Sequence, residues 1–193
     1  MLKRGPDYQE KYKFQSINNK FFLGFSRLSI IDLSKSSNKI FQNENFALLF
    51  NGEIYNYLDL KVKYLQSQKL DTESDTEVLF NLLTTQGIGI VSLLEGIFSF
   101  VFINLKEQKV YMAKDPTGTK PLYYYKKENL FSFSSEAWFN YSLSNKELDL
   151  DSVNYFFNYG FSPVDKTLVK GVCKVKPGHI VTLNLQTFET IST

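Results

Sequence analysis

The run Phe46-Ala47-Leu48-Leu49-Phe50 is apolar at every position and too short for a helix, which predicts a buried strand ending at Asn51. Upstream, Phe21-Phe22-Leu23-Gly24-Phe25-Ser26-Arg27-Leu28 alternates loosely and predicts another strand. Beyond Asn51 the period changes. Asn56 is placed to cap a helix over residues 57–68, with Tyr57, Leu60 and Tyr64 on one face. Ser74 with Glu77 three residues on reads as a capping box, opening a second helix through Val78, Leu79, Leu82 and Leu83 that Gly87 and Gly89 end. Residues 97–103, 110–113, 122–125 and 130–133 then predict four short strands, parted by turns such as Pro116-Thr117-Gly118. Links that short predict an antiparallel meander. Asp151 is the expected cap of a short helix through Val153, Phe156 and Phe157, and Pro177-Gly178 turns into a last strand at 180–185. Two antiparallel sheets with helices on their outer faces satisfy this order, so the pattern predicts the α+β class.

Composition narrows the field. The 193 residues suit one domain, and 43% hydrophobic with 22% charged residues is ordinary for a globular protein. The 18 Phe and 12 Tyr point to a β-rich core. Formal net charge is +2 and the lysines are scattered, so no nucleic-acid face is predicted. No apolar run approaches the ~18 residues of a membrane span, and the polar start carries no signal peptide. One cysteine cannot form an internal disulfide, which fits a reducing cytoplasm, and with one histidine it offers no zinc cluster.

The candidate chemistry begins at Asn51-Gly52-Glu53-Ile54-Tyr55-Asn56. A strand ending in Asn-Gly offers a carboxamide N–H beside a backbone N–H that no Cβ shields, the pair an oxyanion hole needs. Asn-Gly is also the commonest hairpin turn, and the hexapeptide alone leaves both possibilities open.

Other motifs surround it. Arg4-Gly5-Pro6-Asp7 and Arg27-Leu28-Ser29-Ile30-Ile31-Asp32 lie upstream. Downstream come Ser74-Asp75-Thr76-Glu77, Gly96-Ile97-Phe98-Ser99-Phe100, the stretch from Lys114-Asp115-Pro116 to Lys120-Pro121-Leu122-Tyr123-Tyr124, Ser134-Ser135-Glu136 and Pro177-Gly178-His179. In this order and spacing the chain resembles the glutamine-hydrolysing domain of asparagine synthetase B, a class II glutamine amidotransferase. The resemblance covers nearly the whole sequence. It departs at Phe25, where the family commonly has His, at Ser37-Asn38-Lys39 for a Gly-Gln-Pro loop, and at Lys114 and Asn104 for Arg and Asp.

The resemblance implies a four-layer αββα sandwich of the N-terminal nucleophile hydrolase type. It implies that Arg27 holds the substrate α-carboxylate through a forked guanidinium, and that the carbonyls of Leu28 and Ile30 line the glutamine pocket. It assigns Glu53 to the pocket, Asp75 to the substrate ammonium, and Asn51 and Gly52 to the oxyanion hole. Bland alternatives are an ion-paired strand-edge arginine for Arg27 and a helix-first-turn acid for Asp75. The family's nucleophile is an N-terminal cysteine ahead of a first strand. On this resemblance the chain reads as an incomplete amidotransferase domain over residues 1–193, missing that first strand and expected to be inactive in glutamine hydrolysis. Cys173 is expected to be structural and His179 a turn residue. The expected partners are glutamine and an ATP- and Mg-using synthetase domain that is absent here, with no cofactor in this chain and a possible homodimer. The expected activity is supply of ammonia for amidation of aspartate in the cytoplasm. The alternative is a catalytically dead pseudo-amidotransferase that binds glutamine as a regulatory module.

Overall fold

The structure is a computed structural model, and it describes residues 8–15, 20–27 and 40–193. Its centre is a pair of long strands, β4 (Phe46–Ile54) and β5 (Gly96–Asn104), antiparallel in continuous register from Phe46↔Asn104 to Ile54↔Gly96. A sheet grows outward from this pair. On one side stands the two-residue β3 (Phe41–Gln42). On the other stand β6 (Lys109–Lys114), β10 (Ile180–Asn184) and β11 (Thr190–Ser192), giving the order β11-β10-β6-β5-β4-β3. Separate from it are the hairpin β1 (Tyr8–Gln15) and β2 (Lys20–Arg27), and a three-stranded sheet of β8 (Leu130–Ser134), β7 (Tyr123–Lys127) and β9 (Val172–Lys174).

Strand alternation sends β4 residues to opposite faces. Phe46, Leu48 and Ile54 pack with Leu79, Leu82 and Leu83 of α2 (Asp75–Gln86), Leu60 of α1 (Tyr57–Tyr64), and Phe98, Phe100 and Phe102 of β5. Ala47 joins Val101, Ile103, Met112 and Val181 in a second core, closed by Phe14 and Leu23 of the first hairpin, by Leu122 and Val175, and by Tyr124, Phe131 and Phe133 of the three-stranded sheet. Each large apolar side chain so buried contributes about 1.5–3 kcal/mol. The predicted α+β class is therefore the class observed.

Local predictions fared unevenly. The strand predicted from Phe46 runs on through Asn51-Gly52 to Ile54, so Asn-Gly is not a hairpin turn. Helix α1 stops at Tyr64, and Asn56 does not cap it with its side chain. Instead Asn56 Nδ2 donates to the Leu93 carbonyl at 2.9 Å and its Oδ1 accepts from Glu95 N–H at 3.0 Å, tying the end of β4 to the chain that enters β5. Only half of the capping box forms: Ser74 Oγ accepts from Thr76 N–H at 3.1 Å. Glu77 turns the other way and takes Asp71 N–H, Thr72 N–H and the Thr72 hydroxyl.

The four short strands exist but do not form one meander. β5–β6 and β7–β8 are hairpins in different sheets, because the loop carrying Pro116-Thr117-Gly118 crosses from one sheet to the other. The cap of α4 (Leu150–Tyr159) is Asp149, whose carboxylate accepts from Ser152 N–H at 2.9 Å, while Asp151 lies inside the first turn. Helix α3 (Ala137–Leu143) was not foreseen, since seven residues show little periodicity. It is fixed by a buried asparagine: Asn140 Oδ1 accepts from the Ser132 hydroxyl at 2.6 Å and its Nδ2 reaches Ser134 Oγ at 3.2 Å.

Two glycines set the closeness of β4 and β5. Gly52 and Gly96 have φ of +148° and +157°. A Cβ on Gly52 would stand 2.1 Å from the Ile97 carbonyl oxygen, and one on Gly96 would stand 2.2 Å from that of Glu53. Both obstacles are main chain and cannot swing aside. Gly96→Ala is therefore expected to lower unfolding free energy by about 3 kcal/mol, measured by urea denaturation, whereas Gly89→Ala, whose Cβ meets nothing, changes it little. Equal midpoints for the two variants would refute this account of the contact.

Candidate active site at the end of β4

Antiparallel pairs alternate between those that exchange hydrogen bonds and those whose main-chain groups face outward. Phe98, opposite Gly52, gives its N–H to the Asp115 carboxylate at 3.2 Å and takes Asp115 N–H on its carbonyl at 2.9 Å. Phe98 thus faces away from β4, and Gly52 correspondingly faces away from β5. Ile54, two residues on and of the same parity, confirms the direction: its N–H reaches the Asp75 carboxylate at 3.0 Å. Among the described residues, β3 covers this edge of β4 only at Ala47 and Leu48. The Gly52 N–H is therefore directed to an edge that no described strand occupies, on the side where Asp75 stands. Asn51 lies on the opposite strand face, in alternation with Ala47 and Leu49.

Asp75 is held by local sequence. Ser74 starts α2, which puts Asp75 in the first turn, where the helix favours negative charge. Only 5% of the residue is exposed. One carboxylate oxygen accepts from Ile54 N–H, and the other accepts from the Thr76 hydroxyl at 3.2 Å. Burial pushes its pKa above the ordinary 3.8, the hydrogen bonds from Ile54 and Thr76 offset part of that, and the charge of nearby Glu53 adds to the rise. An ammonium group arriving here would relieve that strain.

The structure therefore brings Asn51, Gly52, Glu53 and Asp75 to one end of one strand. Arg27 closes β2, where its main chain pairs with Tyr8, and its side chain lies outside the described residues. Leu28, Ile30, Arg4-Gly5-Pro6-Asp7 and Ser37-Asn38-Lys39 lie outside them too. Cys173 is on β9, in a different sheet from β4. Burial pushes its thiol above the usual range, with a hydrogen bond from Tyr124 working the other way. His179 follows the Pro177-Gly178 turn and its Nδ1 donates to the Pro177 carbonyl at 2.8 Å. Asn104 receives Glu107 N–H at 3.0 Å and shapes the β5–β6 turn, so the departure there is local.

Sequence reasoning gave Asp115 no role, although it is fully buried. Its position in the Lys114–Tyr124 stretch was visible, but nothing in spacing shows that a loop carboxylate reaches back to β5. Besides Phe98 N–H it accepts from Thr117 N–H at 3.0 Å, the Thr117 hydroxyl at 2.5 Å and Thr119 N–H at 3.3 Å. Burial works against its charge, and these bonds together outweigh burial and hold its pKa below the ordinary value.

Comparison with known proteins gives the family and the fold. The glutamine amidotransferase domain family matches residues 1–192, and the chain belongs to that family. Its relatives include a glutamine-hydrolyzing asparagine synthetase of Bacillus subtilis, 33% identical over 186 residues, covering 95% of this chain and 29% of that protein. A second, from Methanocaldococcus jannaschii and described as a putative glutamine-hydrolyzing asparagine synthetase, is 31% identical over 195 residues, 90% of this chain and 37% of that protein. The chain thus spans about a third of the length of the curated relatives it matches. Among solved structures, it superposes on a glutamine phosphoribosylpyrophosphate amidotransferase from Bacillus subtilis with a TM-score of 0.51 at 23% identity, over 80% of this chain and 30% of that one. Against a structure described as the allosteric regulatory enzyme of purine biosynthesis the TM-score is 0.56 at 21% identity, over 88% and 34% of the two chains. These two likenesses show a shared fold.

The opposite shifts of the two buried acids give a pH test. Asp115, with its folded pKa lowered, contributes stability above the ordinary carboxylate value and loses it as pH falls through the folded value. Asp75, with its folded pKa raised, favours folding below the ordinary value, and that contribution is lost as pH rises through the folded value. The stability of Asp75→Asn relative to the unmodified chain is expected to rise from about pH 4 to pH 7, followed by chemical denaturation at each pH. A difference flat across that range would show that the buried carboxyl carries no strain.

Proposed function

We propose that this chain is the glutaminase domain of an asparagine synthase, binding glutamine at the open edge of β4 and serving release of its side-chain amide as ammonia. The observation that carries this is the convergence of the Gly52 N–H and the Asp75 carboxylate on one strand edge, within a chain of the glutamine amidotransferase family. In this proposal Asp75 receives the substrate ammonium and Arg27 its carboxylate. The carbonyls of Leu28 and Ile30 and the Glu53 side chain complete the pocket. Asn51 and Gly52 receive the negative oxygen of the tetrahedral intermediate, where a donor is worth about 3 kcal/mol in a dry site. Two cores, one between α1–α2 and the large sheet and one between that sheet and the smaller ones, support a four-layer αββα arrangement.

The thiol that attacks the amide is not Cys173. That residue lies in another sheet, and burial disfavours its thiolate. Cys173 is the single cysteine of the 193 residues, so the proposal requires a nucleophile from outside them. Amidation of aspartate with ATP and Mg belongs, in this proposal, to a synthetase domain joined to this one in a cytoplasmic enzyme, and pairing into a homodimer is compatible with it. The same position of Cys173 favours a second reading, in which the chain by itself is a glutamine-binding module without turnover.

Calorimetry with glutamine tests the pocket. Arg27→Ala and Asp75→Ala are each expected to weaken binding by roughly 1.5–3 kcal/mol, the worth of a charge-assisted hydrogen bond. Residues 1–193 should release no ammonia from glutamine, with or without Cys173→Ala. Equal affinity in all three proteins would remove the pocket, and turnover abolished by Cys173→Ala would make that thiol the nucleophile.

A further inference from the structure

The stretch from Lys114 to Tyr124 has no place in the pocket described so far, yet its buried acid touches the residue on which the oxyanion glycine rests. Gly52 has no side chain to anchor it, and its nearest neighbours across the ladder are Ile97 and Phe98. An added Cβ would meet the Phe98 Cα at 2.6 Å. The Gly52 peptide, flanked by the pairs of Asn51 with Ser99 and Glu53 with Ile97, is therefore further constrained by where Phe98 stands. Both main-chain groups of Phe98 are held by one residue, Asp115, through its carboxylate and its own N–H.

Asp115 is in turn immobilised. Its carboxylate is saturated by the Thr117 and Thr119 donors, and its carbonyl accepts Gly118 N–H at 3.0 Å and Gly178 N–H at 2.9 Å. The last bond joins the Pro177-Gly178-His179 turn to the assembly, and a Cβ on Gly118 would stand 2.6 Å from the Pro177 ring. Three separate sequence motifs thus close on a single fully buried residue, two of them on its carboxylate and the third on its main-chain carbonyl, and that residue lies across β5 from Gly52.

We infer that Asp115 is a positioning residue for the Asn51–Gly52 donor pair: through Phe98 it fixes the direction in which the Gly52 N–H points. It touches no substrate. Asp75 does the corresponding work on the other flank through Ile54, so the peptide after Asn51 is aimed by two buried acids that approach from opposite edges of the β4–β5 pair. This inference rests on the glutaminase reading for its purpose, although its structural content does not depend on glutamine.

Nuclear magnetic resonance on the labelled chain separates the two. In the ligand-free protein, Asp115→Ala and Asp115→Asn are expected to move the Gly52 amide resonance, the Asn variant less because its Oδ1 still accepts on one side. Hydrogen exchange at Ile54, protected by Asp75, is expected to stay slow. A general loosening would speed exchange at Ile54 as well. With glutamine added, the unmodified chain should bind and shift Gly52, while Asp115→Ala binds roughly tenfold more weakly and leaves Gly52 unmoved. If Asp115→Ala does not fold, Asp115→Asn and Thr117→Val carry the comparison. A Gly52 resonance unchanged in the folded ligand-free variants, or one that moves only with loss of protection at Ile54, overturns the positioning role. Failure of the unmodified chain to bind glutamine overturns the glutaminase reading and leaves the ligand-free result to decide the inference.

Discussion

Two strands held closer than side chains permit are what the remainder of the molecule is arranged around. Gly52 and Gly96 face each other's neighbours across the β4–β5 ladder, and each meets a main-chain carbonyl where any other residue would carry a carbon. The approach leaves those positions without side-chain packing of their own. Order has to come from outside the pair, and it comes as hydrogen bonds that the outward-facing amides of Ile54 and Phe98 donate to the carboxylates of Asp75 and Asp115. The apolar cores on either face supply the bulk of the stabilisation, but they cannot specify the direction of a single N–H. The buried acids do that.

The two acids are chemically unlike despite their symmetrical placement. Asp115 is saturated with donors and kept ionised, as a purely structural anchor should be. Asp75 has fewer donors and remains under electrostatic strain, with Glu53 adding to it. A carboxylate left short of partners in a buried place is matched to an arriving cation. The difference in donor count separates the anchor from the group proposed to meet substrate, and no property of either residue in isolation does so.

Much of this was legible in the sequence, for identifiable reasons. The unbroken apolar run at 46–50 announced β4, and Ser74 marked the start of α2, because both signals are local. The candidate residues Asn51, Gly52, Glu53 and Asp75 were found through motif order and are brought to one place. Arg27, Leu28 and Ile30 were named from the same motifs, and the pocket roles of all seven residues are proposals. The misreadings share a cause. Asn56, Glu77 and Asp115 each bond to main chain that is not where local rules would put it, and Asn56 and Asp115 reach across 39 and 17 residues. Local rules assigned the first two to helix ends. The sheet change after β6 was hidden likewise, since a short loop looks the same whether it stays in a sheet or leaves it.

The long reach of Asp115 also dictates the order in which a growing polypeptide can align the Asn51–Gly52 peptide. When β4 leaves the ribosome, β5 does not yet exist, and the Asn51–Gly52 peptide is free to turn. Pairing of β4 with β5 aligns it only in part, because Phe98 lacks its anchor until Asp115 has been made. The anchor closes fully when Gly178 arrives and gives its N–H to the Asp115 carbonyl. Contacts so distant along the chain form late and slowly. Synthesis therefore delivers Asn51 and Gly52 early but withholds their full alignment until Gly178 has been translated, so shorter chains carry the two residues without their final geometry.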